Sequence, residues 1–231
     1  MFQNNRLSAN PELQDLTSME VFDAVVSGLT SAGLMVILNN HNSAAGWCCS
    51  DHDGEGLWWT HKYPEEVWLE ALEGMADRYQ DNPLVVGMDL RNELRSAHGH
   101  SPTWGDGSVK YDWGLAAEKA GSNVLAVNPN LLIIVEGLEY AGTVEGAKVD
   151  PVELTHPAQI VYSGHLYTWF FDTSIAYEDL EQTMITRQTF VTEPGHPYSV
   201  SEITFILFIQ KPRRGCFIKR RQYCLTRLNL L

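Results

Sequence analysis

Leu84-Val-Val-Gly-Met-Asp-Leu90, running directly into Arg91-Asn92-Glu93, is the stretch on which the fold turns. A nearly unbroken apolar run is the pattern of a strand covered on both faces, as in a parallel sheet. Working outward, the same pattern recurs at Leu34-Met-Val-Ile-Leu38, Leu131-Leu-Ile-Ile-Val135 and Gln159-Ile-Val-Tyr-Ser163, with a short strand from Pro197 to Glu202. Between the strands lie helical patterns. Thr17 to Ala32 places Val21, Phe22, Val25, Val26 and Leu29 on one face and stops at Gly33; Pro64 opens a second helix over 64–80; 111–127 and 173–190 read as two more. A long loop rich in Gly, Trp, His and Asp fills 39–63.

Strands alternating with helices define βα units, and without a glycine-rich phosphate turn after a strand they point to a barrel over a dinucleotide-binding sheet. The expected class is therefore α/β, a (β/α)8 TIM-type barrel. Five strands are visible where a closed barrel has eight in about 250 residues, so the barrel is expected to be incomplete, with about strands 3 to 7 present.

The chain has 231 residues and a formal charge of -13. Phosphate binding needs clustered Lys and Arg, so this balance argues against nucleic acid and for a neutral ligand. No run approaches the ~20 apolar residues of a membrane span, no signal peptide is visible at Met1–Arg6, and no membrane partner is expected. From Phe205 onward seven basic residues and no acidic one mark a change of composition, so 1–204 reads as the barrel domain and 205–231 as a basic tail outside it. A misassigned gene model would account for that tail.

In a barrel of this type the chemistry sits where strands end. Those ends carry Asn39, Asn40 and His41; Asp89, Arg91, Asn92 and Glu93; Glu136; His165 and Tyr167; and Glu202. Two carboxylates from different strands are what double-displacement glycoside hydrolysis requires, one to protonate the leaving oxygen and later activate water, the other to attack the anomeric carbon. The bland reading of Glu93, a charge that satisfies free N–H groups at a helix start, does not account for Asn92 beside it.

Arg91-Asn92-Glu93 and Tyr198-Ser-Val-Ser-Glu202 resemble the cellulases of glycoside hydrolase family 5, and so do Val36-Ile-Leu-Asn-Asn-His41, Leu132-Ile-Ile-Val-Glu-Gly-Leu138 and Val161-Tyr-Ser-Gly-His-Leu-Tyr167. The resemblance implies that Glu93 is the acid/base and Glu202 the nucleophile. It further implies that Asn92 holds the sugar 2-hydroxyl, that His165 and Tyr167 tune the carboxylates, and that His41 lines a sugar subsite. The chain departs from the family pattern in having Leu94 after Glu93 and no Trp after Trp169. Independently of the family, Trp47, Trp58 and Trp169 in segments that follow strands offer flat faces suited to pyranose rings, which favours a polysaccharide.

Asp51-His52-Asp53-Gly-Glu55 matches neither a calcium loop nor a zinc helix; it reads as a solvated loop, and neither metal nor cofactor is expected. The expected function is a retaining endoglucanase cutting O-glycosidic bonds of a β-1,4-glucan, weak or inactive because the barrel is incomplete. A non-catalytic glycan-binding remnant is the alternative, and a metal-dependent hydrolase a more distant one. By the same resemblance the protein is secreted.

Overall fold

A computed structural model describes residues 9–46, 49–50, 52–165, 176–184 and 186–187. Four strands, β1 (Val36–Asn39), β2 (Val85–Asp89), β3 (Leu132–Glu136) and β4 (Ile160–Ser163), form one sheet in sequence order. Every neighbouring pair is parallel. Helices α1 (Ser18–Ser31), α2 (Glu65–Arg78) and α3 (Trp113–Val127) come before β1, β2 and β3. Consecutive parallel strands with intervening helices build an arc of a (β/α) barrel. The connection from β3 to β4 uses instead the short turns α4 (Leu138–Ala141) and α5 (Gly146–Val149).

Local chemistry sets the helix ends. Thr17 Oγ1 accepts from the Glu20 amide at 3.3 Å while Glu20 Oε2 accepts from the Thr17 amide at 2.7 Å, a reciprocal cap for α1. The chain leaves α1 through Gly33 at φ +77°, a left-handed conformation that suits glycine. Pro64 is the N-cap of α2, and the Asp112 side chain caps α3. Asp23 of α1 accepts from both Arg78 and Tyr79 at the end of α2. Those two hydrogen bonds, Arg78 first, hold the Asp23 carboxyl down at about 2.

The core lies between the sheet and the helices α2 and α3. Met88, Ile133, Val135, Ile160 and Tyr162 from the strands meet Leu72, Ala76, Ala117, Ala120 and Val124 from the helices. At the C-terminal ends of the strands the core is closed by three tryptophans, Trp58 lying 5.6 Å from Trp113 and 6.4 Å from Trp68 between ring centroids. Each indole N–H is used: Trp58 donates to Glu65, Trp68 to the Leu90 carbonyl, Trp113 to the Glu136 carbonyl.

Among the described residues β1 is one edge of the sheet and β4 the other. Around β1, Val25, Leu29, Leu34, Met35 and Ile37 are 39–63% exposed; in a closed barrel a neighbouring strand and helix cover such positions. The strand expected over 197–202 and the basic tail lie outside the described residues. Of the helix expected over 173–190, Tyr177–Met184 is described as α6.

Candidate active site

The strand ends converge on Glu93. It follows β2 in a left-handed conformation, φ +48°, which costs a non-glycine residue of order 1–3 kcal/mol unless its surroundings hold it there. They hold both of its peptide groups. The Glu93 amide donates to Glu136 Oε2 at 2.8 Å, and the Glu93 carbonyl accepts from Arg95 at 2.9 Å. Its carboxylate Oε1 meets His165 Nδ1 at 2.9 Å, and the other ring nitrogen of His165 reaches Glu136 Oε1 at 3.4 Å. One imidazole is thus clasped between two carboxyl groups, from β3 and from the end of β2.

His165 is placed by its own backbone. Its amide donates to the Ala141 carbonyl at 2.8 Å, where Glu139, Tyr140 and Ala141 run through three successive left-handed conformations. That turn is tied back to the loop after β2, since the Tyr140 amide donates to the Leu94 carbonyl at 3.0 Å and the Arg95 guanidinium lies over the Tyr140 ring. Burial acts against the charged form of His165. The hydrogen bonds to Glu136 and then Glu93, together with their charges, outweigh it and push the imidazole up to about 10. At neutral pH it is an imidazolium.

A second layer lies beneath. Asn39 and Asp89 are register partners on β1 and β2, and Asn39 Nδ2 donates to Asp89 Oδ2 at 2.8 Å. Asn39 Oδ1 in turn lies 3.0 Å from His41 Nδ1. Desolvation lowers the pKa of His41, against the pull of Glu93 and Glu136. Arg91 is fully buried and fastens the loop after β1, giving hydrogen bonds to Asn40 Oδ1 and to the Glu55 carbonyl and carboxylate. Arg95 does the same with Asp53 through Oδ1 and Oδ2. Asp53 and Glu55 of the acidic loop are therefore arginine partners.

The expected site residues divide accordingly. Glu93, Asn92, His41 and His165 come together at the strand ends, with Asn92 buried, its amide donating to the Asn40 carbonyl and its side-chain nitrogen 3.6 Å from Cys49 Sγ. Cys49 is in a disulfide. Trp58 is a correction: it is 0% exposed, stacked into the tryptophan cluster, and presents no face to a sugar. A signal for this was available, because Leu57-Trp58-Trp59 is an apolar run inside a polar loop. Trp59, one residue on, is part-exposed and packs at 6.2 Å from Tyr111 and 6.3 Å from His61. Glu202, Tyr167, Trp47 and Trp169 lie outside the described residues. Glu136 was visible only as a strand end; its placement against both Glu93 and His165 makes it part of the site.

An arc of parallel strands with a clamped glutamate at the end of one strand and a histidine from another places the polar cluster where (β/α) barrels carry their sites. The chain belongs to the cellulase family, glycosyl hydrolase family 5, whose model it matches over residues 1–204. It is 36% identical to an endoglucanase of Paenibacillus polymyxa over 182 residues, covering 71% of this chain and 43% of that protein. To the major extracellular endoglucanase of Xanthomonas campestris it is 40% identical over 131 residues, covering 57% of this chain and 25% of that protein. Among solved structures, a hyperthermophilic endocellulase from Pyrococcus horikoshii superposes with a TM-score of 0.71 at 27% identity, covering 80% of this chain and 56% of that one. The chain thus spans less than half the length of these two curated relatives.

Proposed function

We propose that this chain carries the acid/base half of a retaining endoglucanase site and hydrolyses O-glycosidic bonds of a β-1,4-glucan, with Glu93 as acid/base, Glu202 as nucleophile and no cofactor. The observation that carries the reading is the clamp on Glu93. As a general acid the protonated Glu93 gives its proton to the leaving oxygen, and the carboxylate it becomes has His165 Nδ1 waiting 2.9 Å from Oε1, so that the charge-assisted contact forms as the proton leaves, with the donor already placed. In the second step the same carboxylate takes a proton from water. Asn92 precedes it and is assigned to the sugar 2-hydroxyl; His41 on the rim, with Tyr167, Trp47 and Trp169, is assigned to the substrate path. The glucan substrate is supported by the Pyrococcus horikoshii endocellulase, whose structures include complexes with cellotetraose. Export follows from the likeness to the extracellular Xanthomonas enzyme.

Reducing-sugar release from soluble β-glucan tests the proposal. The expected result is weak turnover by the full chain, reduced by the incomplete barrel, that Glu93→Gln and Glu202→Gln each remove. A soluble, folded chain that binds glucan without releasing reducing ends would replace the enzyme by a glycan-binding protein.

A further inference from the structure

Glu136 and Asp89 are the two buried acids the reaction does not use, and both sit beneath Glu93. Glu136 is 1% exposed and Asp89 is buried. Both Glu136 oxygens are turned to the site, Oε2 to the Glu93 amide at 2.8 Å and Oε1 to His165 Nε2 at 3.4 Å. The Glu136 main chain is fixed separately, its carbonyl accepting from the Trp113 indole at 2.8 Å. A carboxylate with this pair of contacts ties the left-handed backbone of Glu93 to the ring that meets its side chain.

Asp89 sits against Glu136, whose charge and side chain act directly on the Asp89 carboxyl. Two ionised carboxylates are acceptors only, so a bond between them requires a proton on one. The remaining partners say which. Glu136 receives an amide and an imidazolium, both donors. Asp89 receives one donor, Asn39 Nδ2 at 2.8 Å on Oδ2, and its Oδ1 has no other among the described residues. That is the pattern of a carboxylic acid, with a carbonyl-like Oδ2 and a hydroxyl Oδ1. Desolvation first, and then the Glu136 charge, push the Asp89 carboxyl well above the usual range, which agrees.

We propose that Glu136 is a positioning residue for the Glu93 acid/base, and that Asp89 supports it as a neutral, hydrogen-bond-donating carboxylic acid. The inference rests on Glu93 being the acid/base. Among the described residues, the charged and titratable groups acting at the pair are Glu93 from the end of β2, His165 beyond β4 and His41 beyond β1. With Asp89 neutral, the His165 imidazolium is shared by two carboxylates instead of facing three. The ring is then held between Glu93 and Glu136 in one orientation.

Carboxyl-carbon and imidazole-nitrogen NMR on the full chain, alongside glucan hydrolysis, tests this. In the wild type, the Asp89 carboxyl carbon is expected to keep the acid-form shift at pH 7. Asp89→Asn, which keeps a donor toward Glu136 and loses no charge, is expected to leave the His165 titration where it was. Glu136→Gln is expected to bring the His165 titration down, to move the alkaline limb of the kcat profile down with it, and to lower kcat on the order of 10²-fold with KM little changed, the scale of a misplaced catalytic group. An Asp89 that titrates in the ordinary carboxylate range overturns the proposal from the wild type alone, whether or not Glu136→Gln folds. So does a Glu136→Gln protein with wild-type kcat and His165 titration. Absence of turnover in the wild type counts against the endoglucanase reading, and the NMR results then decide the Asp89–Glu136 pair by themselves.

Discussion

Removing Glu55 should destabilise the protein far more than its place in an acidic loop suggests. Its carboxylate accepts the Ser43 amide at 2.7 Å and Arg91 at 3.0 Å through Oε2, and the Ala44 amide at 3.2 Å through Oε1. The Arg91 side chain is 0% exposed and that of Glu55 12%. Taking one partner from a buried pair typically costs about 3–5 kcal/mol because the other charge is left unpaired. Arg91 keeps the Glu55 carbonyl and Asn40 Oδ1, so the lower end, about 3 kcal/mol, is expected for Glu55→Ala by the same reasoning. With a urea slope of about 2 kcal/mol/M the midpoint should fall by roughly 1.5 M. Arg187→Ala, which breaks the exposed Arg187–Glu139 pair, should cost no more than about 1 kcal/mol under identical conditions. A Glu55→Ala protein as stable as Arg187→Ala would refute the claim that Arg91 depends on this charge. Replacing both members, Glu55→Leu with Arg91→Met, should recover part of the loss, since no buried charge then remains.

Three further outcomes are expected. Gly56→Ala should cost at least the roughly 1–3 kcal/mol of core overpacking, because the added Cβ would lie 2.4 Å from the Arg95 carbonyl oxygen; thermal unfolding measures it. His165 has a folded pKa raised to about 10, above the ordinary value of about 6.5, so its stabilising contribution is complete below about pH 6.5 and is lost as pH rises through 10. The unfolding midpoint should fall across that window, and His165→Gln should flatten the fall. Trp58→Ala should cost about 3–5 kcal/mol, with little effect on glucan binding per folded molecule, whereas Trp59→Ala, at a partly buried site, should cost less; a Trp58 variant that stays stable but loses glucan affinity would contradict its place in the core.

The barrel arc was legible because β2, β3 and β4 are largely buried on both faces and appear as continuous apolar runs, and β1 carries the same run although its edge is exposed. Val36–Asn39, Val85–Asp89, Leu132–Glu136 and Ile160–Ser163 all fall within a residue of those runs at their C-terminal ends. The apolar face and the stop at Gly33 made α1 equally plain, while the reciprocal cap of Thr17 and Glu20 emerged only in the structure. The left-handed turn over Glu139, Tyr140 and Ala141 had no such signal, since none of the three is glycine. It is held by contacts from Leu94 and His165, distant in sequence. Asp53 and Glu55 were legible as acids but not as partners of Arg95 and Arg91, about forty residues away. Trp58 was misread for the opposite reason: its position after a strand suggested the mouth, while its neighbours along the chain already suggested burial.

The clamp on Glu93 explains why this part of the site is organised within so short an arc. Three of its links run between neighbouring strands, Asn39 to Asp89 across β1 and β2, the Glu93 amide to Glu136 across β2 and β3, and the Gly137 amide to the Ser163 carbonyl across β3 and β4, while His165 beyond β4 reaches over β3 to Glu93. Parallel register places these strand ends level with one another, so side chains more than forty residues apart meet without any long-range strand pairing across a barrel. The geometry around Glu93 is therefore set within the arc β1 to β4. It follows that weakening the exposed edge should leave it intact. Ile37 is 49% exposed on β1, and Ile37→Thr should reduce self-association of the chain while the His165 titration stays where it was. A shift of that titration on altering Ile37 would mean that the site depends on the edge of the sheet, and the strand-by-strand account would fail.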